Sequence, residues 1–332
     1  MYDLKCLAHH PPELGYTMVM KITVKDIQQA HVRIAPYIHC TPILESRALN
    51  KIIGCELLFK AENFQKIGAF KARGGCNAVF SMDEASLQEG VVTHSSGNHG
   101  AALAWAAALR GAPCTVVMPE NAPAVKIAAV AGYGATIELC EPNMAAREGT
   151  VARLIEQHGY TLVHPYDEDV IIAGQGTAAL ELLEQIDKPV DIIMAPVGGG
   201  GLLGGTGIYA KGMSDAKVIG AEPEGAKDAW LGYNSGERLA EYTPNTVADG
   251  LRATVGVRNF AAITETVDDI LLCSEERIIE AMRLIWTRLK VIIEPSCAVP
   301  LAAIMEQPEQ FQGKRVAIIL SGGNVDLDAL PW

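Results

Sequence analysis

The sequence predicts an α/β fold built on doubly wound parallel sheets, on three observations. Short apolar runs alternate with helical patterns from residue 55 onward. Several of those runs are β-branched and apolar at consecutive positions, as strands covered on both faces require. Glycine is plentiful, 32 in 332 residues, which suits tight strand-to-helix turns.

In chain order the strand candidates are 55–62, 90–95, 114–119, 135–141, 161–165, 191–197, 217–223, 269–273 and 315–321. Between them AALAWAAALRG, AVKIAAVAGYG, REGTVARLIEQHG and GTAALELLEQI read as helices that stop near glycine. The longest clean helix spans 274–290: Ser274 caps it, two acids occupy its first turn, and Ile278, Met282, Ile285 and Leu289 share a face. No linker, repeat or low-complexity tract marks a domain boundary.

The length allows one large or two medium domains. A formal charge of −12 without any Lys/Arg-rich run opposes nucleic-acid binding. The eight cysteines (Cys6, Cys40, Cys55, Cys76, Cys114, Cys140, Cys273, Cys297) are scattered, with no CxxC pair, and read as reduced, buried thiols of a cytosolic protein. Residues 1–20 lack the basic-then-apolar pattern of a signal peptide and read as an extension, with structure starting near Met20. No apolar run is long enough to span a membrane.

Three segments lie where strands end, the place at which open α/β sheets bind ligands. NFQKIGAFKARGG places Lys71 at the opening of a helix, where the helix N-terminus and Arg73 both favour a lowered pKa, as an imine-forming amine needs. Phe70 can lie against a flat ring; a surface lysine at a helix start is the plainer alternative. HSSGNHG (94–100) is a polar turn whose amides and Ser95 and Ser96 hydroxyls can bind a carboxylate. Asn98 can donate to a phenolic oxygen, and His99 reads as a hydrogen-bonded structural residue rather than a catalyst. PVGGGGLLGGTG (196–207) offers bare backbone amides ahead of a helix, suited to one phosphate; tight helix–sheet packing explains the glycines equally well. It is neither a P-loop nor a dinucleotide GxGxxG. An amine, a carboxylate-binding turn and a monophosphate loop together fit pyridoxal-5′-phosphate (PLP) chemistry.

GAFKARGGCNAV, SSGNHG, GQGT (174–177), VGGGGL and LSGGN (320–324) resemble, in the same order, the fold-type II PLP enzymes, from about Ile22 to the C-terminus. Within that family the chain is similar to serine racemases and serine/threonine ammonia-lyases (dehydratases), including hydroxyaspartate ammonia-lyases. The resemblance implies a tryptophan synthase β-like architecture. A large domain (21–83 and 167–332) would bind the cofactor, and a smaller inserted domain (84–166) would close over substrate. It implies that Lys71 is the Schiff-base lysine with Phe70 beside the ring, and that Gly198, Gly199, Gly200, Gly201 and Leu202 hold the phosphate. Asn98 would bond the phenolic oxygen, and Ser321 would face the pyridine nitrogen. Ser96 is then the acid/base opposite the lysine. Ser95, Ser96, Gly97, Asn98 and His99 hold the substrate carboxylate, and Arg147 helps order the site.

The resemblance also implies a divalent-metal site for Mg²⁺ (or Ca²⁺ or Mn²⁺), with carboxylates from Glu222 and Asp228 and the carbonyl of Ala226. Lys227 departs from the family, where an acid is usual, and Cys297 stands where a glycine is usual. The implied reaction removes water and ammonia from L-serine- or L-threonine-type substrates to give a 2-keto acid, with serine racemisation through Ser96. Ser321, a hydroxyl rather than a carboxylate, makes the ring a weaker electron sink and favours elimination. SSGNHG and HPYD (164–167) lean toward the serine racemase/dehydratase group. 3-Hydroxyaspartate, giving oxaloacetate, is the alternative substrate. A non-catalytic PLP-binding or regulatory protein is the rival of another class, and the presence of Lys71 and Ser96 opposes it. A cytoplasmic homodimer without nucleic-acid or membrane partners completes the expectation.

Overall fold

The computed structural model describes residues 22–95 and 97–332. The extension at 1–20 and Ser96 therefore lie outside the described residues. Ten strands are found among the described residues: β1 (Ile43–Glu45), β2 (Glu56–Ala61), β3 (Val91–His94), β4 (Cys114–Pro119), β5 (Thr136–Cys140), β6 (Thr161–Leu162), β7 (Ile192–Pro196), β8 (Lys217–Pro223), β9 (Asp269–Cys273) and β10 (Arg315–Leu320). They form a six-stranded sheet, β1-β2-β10-β7-β8-β9, and a four-stranded one, β5-β4-β3-β6. Every pairing is parallel except β1 with β2. β4 and β7 are buried along their whole length, as the consecutive apolar runs require.

The helices are α1 (Val24–Ile34), α2 (Arg47–Ile53), α3 (Lys71–Ser81), α4 (Glu84–Glu89), α5 (Asn98–Leu109), α6 (Ala124–Gly132), α7 (Met144–His158), α8 (Asp169–Gln185), α9 (Gly201–Met213), α10 (Asp228–Ser235), α11 (Val257–Thr266), α12 (Glu275–Arg288) and α13 (Pro295–Glu306). The Ser274 side chain accepts from the Arg277 amide at the start of α12, and Ile278, Met282 and Ile285 are buried in the core beneath it.

α8 is buried from Ile171 to Leu182 and packs between α3 and α9. Its GQGT run is a packing device. A Cβ on Gly174 would lie 2.7 Å from Gly74 Cα, and one on Gly176 2.8 Å from the Gly205 carbonyl. The two helices that begin at Lys71 and at the glycine loop are thereby held at close spacing. Among the described residues no helix is long and apolar enough to cross a membrane.

The expected strand at 161–165 pairs only as Thr161–Leu162. After the Val163 amide bonds Val92 O, the chain turns away toward α8.

Candidate active site

Lys71 begins α3 with no side-chain cap beside it. Its Nζ donates to Pro165 O at 2.7 Å and lies 5.3 Å from the centre of the Phe70 ring. Burial pulls its pKa down to about 8, against a smaller opposing pull from Glu294. The share expected of Arg73 needs correction, because that guanidinium is neutralised. It is wholly buried and bonds Glu62 (2.7 and 2.8 Å) and Glu181 (2.8 Å from each Nη). Burial works against its charge, but the two carboxylates hold it above its ordinary range. Arg73 clamps α3 to α8 and to the turn after β2.

Phe70 N donates to Ser321 O at 3.0 Å, and Ala69 bridges Gly322, so Phe70 and the buried Ser321 at the end of β10 lie side by side. Cys297, on α13, is fully buried against Ser321 and Gly322, and burial pushes its thiol up. It backs Ser321 rather than lining open space.

Gly198, Gly199 and Gly200 leave β7, and Gly201 and Leu202 open α9, which no side chain caps. The first-turn amides of α9 are thus left for an anion. Gly200 has φ +91°, and a Cβ on Gly199 would meet the Tyr166 ring at 2.3 Å, so the loop must be bare there.

The turn before α5 is equally uncapped by side chains. Ser95 Oγ accepts from Gly97 N at 3.3 Å. Asn98 Nδ2 donates to both Glu294 oxygens (3.0 and 3.2 Å), and Asn98 Oδ1 accepts from Asn324 Nδ2 at 2.8 Å. His99 places Nε2 3.3 Å from Val163 O, so Nε2 carries the proton. Burial, then the Lys71 charge, keeps the ring neutral.

His94 and His164 meet edge-on, 5.8 Å between centroids, and His164 Nδ1 accepts from the Asp167 amide at 2.9 Å. Burial, then His94, lowers His164 to about 4. Arg147, on α7, is the largest charge lowering His94 after burial. Its Nε is buried without a hydrogen-bond partner among the described residues.

Glu222 Oε1 and Oε2 accept from Ala229 N (3.0 Å) and Trp230 N (2.8 Å), and Asp228 Oδ2 from Val255 N (2.8 Å). Burial, then Asp228, holds Glu222 well above the usual carboxylate range. Ala226 is buried beside them; among the described residues no group of three His, Cys, Asp or Glu could hold a metal.

Several site residues escaped the sequence reading. Glu294 is buried, and burial, then Asp249, raises it to about 7. An acid directly before the first proline of a helix was its only signal. Pro165 acts through its carbonyl, and Asn324 and Asn259 through distant contacts that no local pattern announces.

The pyridoxal-phosphate dependent enzyme family model matches residues 34–322. This chain belongs to that family. The PLP enzyme is 52% identical over 315 residues to the serine racemase of Dictyostelium discoideum, covering 93% of this chain and 97% of that one. It is 48% identical to the beta-hydroxyaspartate dehydratase of Paracoccus denitrificans (strain Pd 1222), covering 93% and 98%. The crystal structure of the T.th. threonine deaminase superposes with a TM-score of 0.88 at 43% identity, covering 92% and 99%. The residues present fit PLP: a half-buried, weakly basic amine and an uncapped helix start behind a bare glycine loop suit its aldehyde and its phosphate.

Proposed function

We propose that this PLP enzyme is a hydroxy amino acid ammonia-lyase that also racemises serine. It would eliminate water from L-serine or L-threonine, and hydrolysis of the released enamine would then give the 2-keto acid and ammonia. The observation that carries the reading is the convergence of Lys71, Ser321 and the glycine loop with the Ser95–His99 turn.

Bound there, PLP supplies an electron sink for charge at the substrate Cα. Lys71 Nζ would hold the aldehyde end until the substrate amine displaces it and, once freed, would take the Cα proton, its lowered pKa favouring the neutral form. The same nitrogen returns that proton to the departing β-hydroxyl. The Gly198–Leu202 amides would hold the phosphate, Phe70 and Ser321 would line the ring's site, and Asn98 would serve its phenolic oxygen on releasing Glu294. The Ser95–His99 turn would orient the carboxylate, and by the resemblance Ser96 would supply the proton when the product is the other enantiomer. Glu222, Asp228 and the Ala226 carbonyl would hold Mg²⁺ or a similar hard cation, which would relieve the repulsion between the two buried carboxylates. The 84–166 unit closes over substrate against 21–83 and 167–332. A cytoplasmic homodimer is part of the same proposal and rests on the resemblance alone.

The unpartnered Arg147 Nε favours a second reading, in which the guanidinium takes the β-carboxylate of 3-hydroxyaspartate. Ammonia release from L-serine, D-serine, L-threonine and the 3-hydroxyaspartate isomers, with Lys71→Ala as control, decides. Release from serine and threonine supports the first reading; release from hydroxyaspartate alone supports the second. Release by neither, with cofactor bound, points to the non-catalytic class.

A further inference from the structure

Asn259, in the first turn of α11, is fully buried. Its amide serves two carbonyls from separate parts of the chain: Nδ2 donates to Gly199 O at 2.7 Å and to Tyr166 O at 3.0 Å. Gly199 belongs to the glycine loop, and Tyr166 to the crossover that returns the chain from β6 to α8. The same helix end grips both partners again. Gly256 N donates to Gly199 O (3.1 Å), and the Asp167 carboxylate accepts from Val257 N (3.0 Å), Arg258 N (2.8 Å) and Asn259 N (3.4 Å). One residue before Tyr166, the Pro165 carbonyl accepts from Lys71 Nζ.

A continuous path therefore runs Lys71–Pro165–Tyr166–Asn259–Gly199. Resting on the reading that Lys71 and the glycine loop hold the two ends of the cofactor, we propose that Asn259 is a positioning residue. It fixes the separation between the lysine amine and the phosphate loop. A primary amide suits this task because its two N–H bonds diverge in one plane toward two acceptors. Helix stability does not explain it, since Asp167 already satisfies the first amides of α11. Asn259 Oδ1 is moreover buried without a partner among the described residues, a cost that stability alone would select against.

The test compares wild type with Asn259→Asp, which is isosteric but donates neither bond when ionised, and with Asn259→Ala. Thr264→Ala is the control, because Thr264 on the same helix bonds only Phe260 O of that helix. PLP affinity, the ³¹P resonance of bound PLP, kcat, KM and the thermal midpoint of the apo-protein are measured. Loss of two buried hydrogen bonds predicts PLP binding about ten- to a hundredfold weaker in both Asn259 variants. The ³¹P resonance should shift and kcat should fall, while KM for the amino acid stays within about twofold. The Thr264 control should bind PLP as wild type does. Wild-type affinity and resonance with only a lowered thermal midpoint would overturn the proposal, as would failure of both Asn259 variants to fold. If wild type itself does not attach PLP at Lys71, the site reading falls and the positioning role with it. A normal wild type with indifferent variants sinks the positioning role alone.

Discussion

The amine of Lys71 and the carbonyl of Pro165 are 94 residues apart in sequence and 2.7 Å apart in space. That bond joins the first residue of α3 to the segment by which the chain leaves the four-stranded sheet. The position of the lysine thus depends on where the crossover lies, which ties the chemistry of the amine to the arrangement of the two sheets.

Burial sets the reactivity of that amine. A folded pKa of about 8 lies below the ordinary 10.5, so the neutral form appears at lower pH than in a free lysine. PLP capture by the apo-protein should speed up with pH and level off above about 8. A rate still climbing steeply to pH 10 would contradict the burial account.

Glu294 shifts the other way, from 4.5 to about 7. The folded state then holds the proton more tightly than the unfolded chain, so stability falls as pH rises from about 4.5 to 7. Glu294→Gln should flatten that decline, gaining at most about 3 kcal/mol relative to wild type above pH 7. Denaturant unfolding at pH 5 and pH 8 measures it, and parallel losses in both proteins would exclude Glu294 as the cause.

Arg73 lies between Glu62 and Glu181, and Lys60 also bonds Glu181 at 2.7 Å. Replacing Arg73 by Met leaves buried carboxylates short of their cation, which should cost about 3–5 kcal/mol of stability. Urea unfolding of apo-protein gives the number. A loss under about 1 kcal/mol would mean that the network adapts.

Mg²⁺ should raise the thermal midpoint of wild type, since a ligand at a hundred times its Kd stabilises by about 2.7 kcal/mol. Glu222→Gln should abolish the response. A rise that survives this substitution would place the cation elsewhere.

The parts legible in the sequence are those written in consecutive residues. The glycine loop follows β7 and Ser321 follows β10, neighbouring strands of the six-stranded sheet, while Lys71 opens α3 ten residues after β2. The buried parallel strands were legible for the same reason, through runs such as DIIMAPV. β1 was not, because three residues pairing antiparallel leave no periodic trace. α13 was hidden by Pro300 within an apolar stretch. Arg73 was misread because sequence shows its nearness to Lys71 but not the carboxylates that cancel its charge. Glu294, Pro165 and Asn259 act through long-range contacts, which only the packed fold discloses.

The central claim is that PLP is held at Lys71, and borohydride reduction of the holoenzyme followed by peptide mass spectrometry tests it most directly. The predicted result is a single pyridoxyl adduct on the peptide containing Lys71, absent from Lys71→Ala. An adduct on any other lysine, or none at full PLP occupancy, would contradict the account.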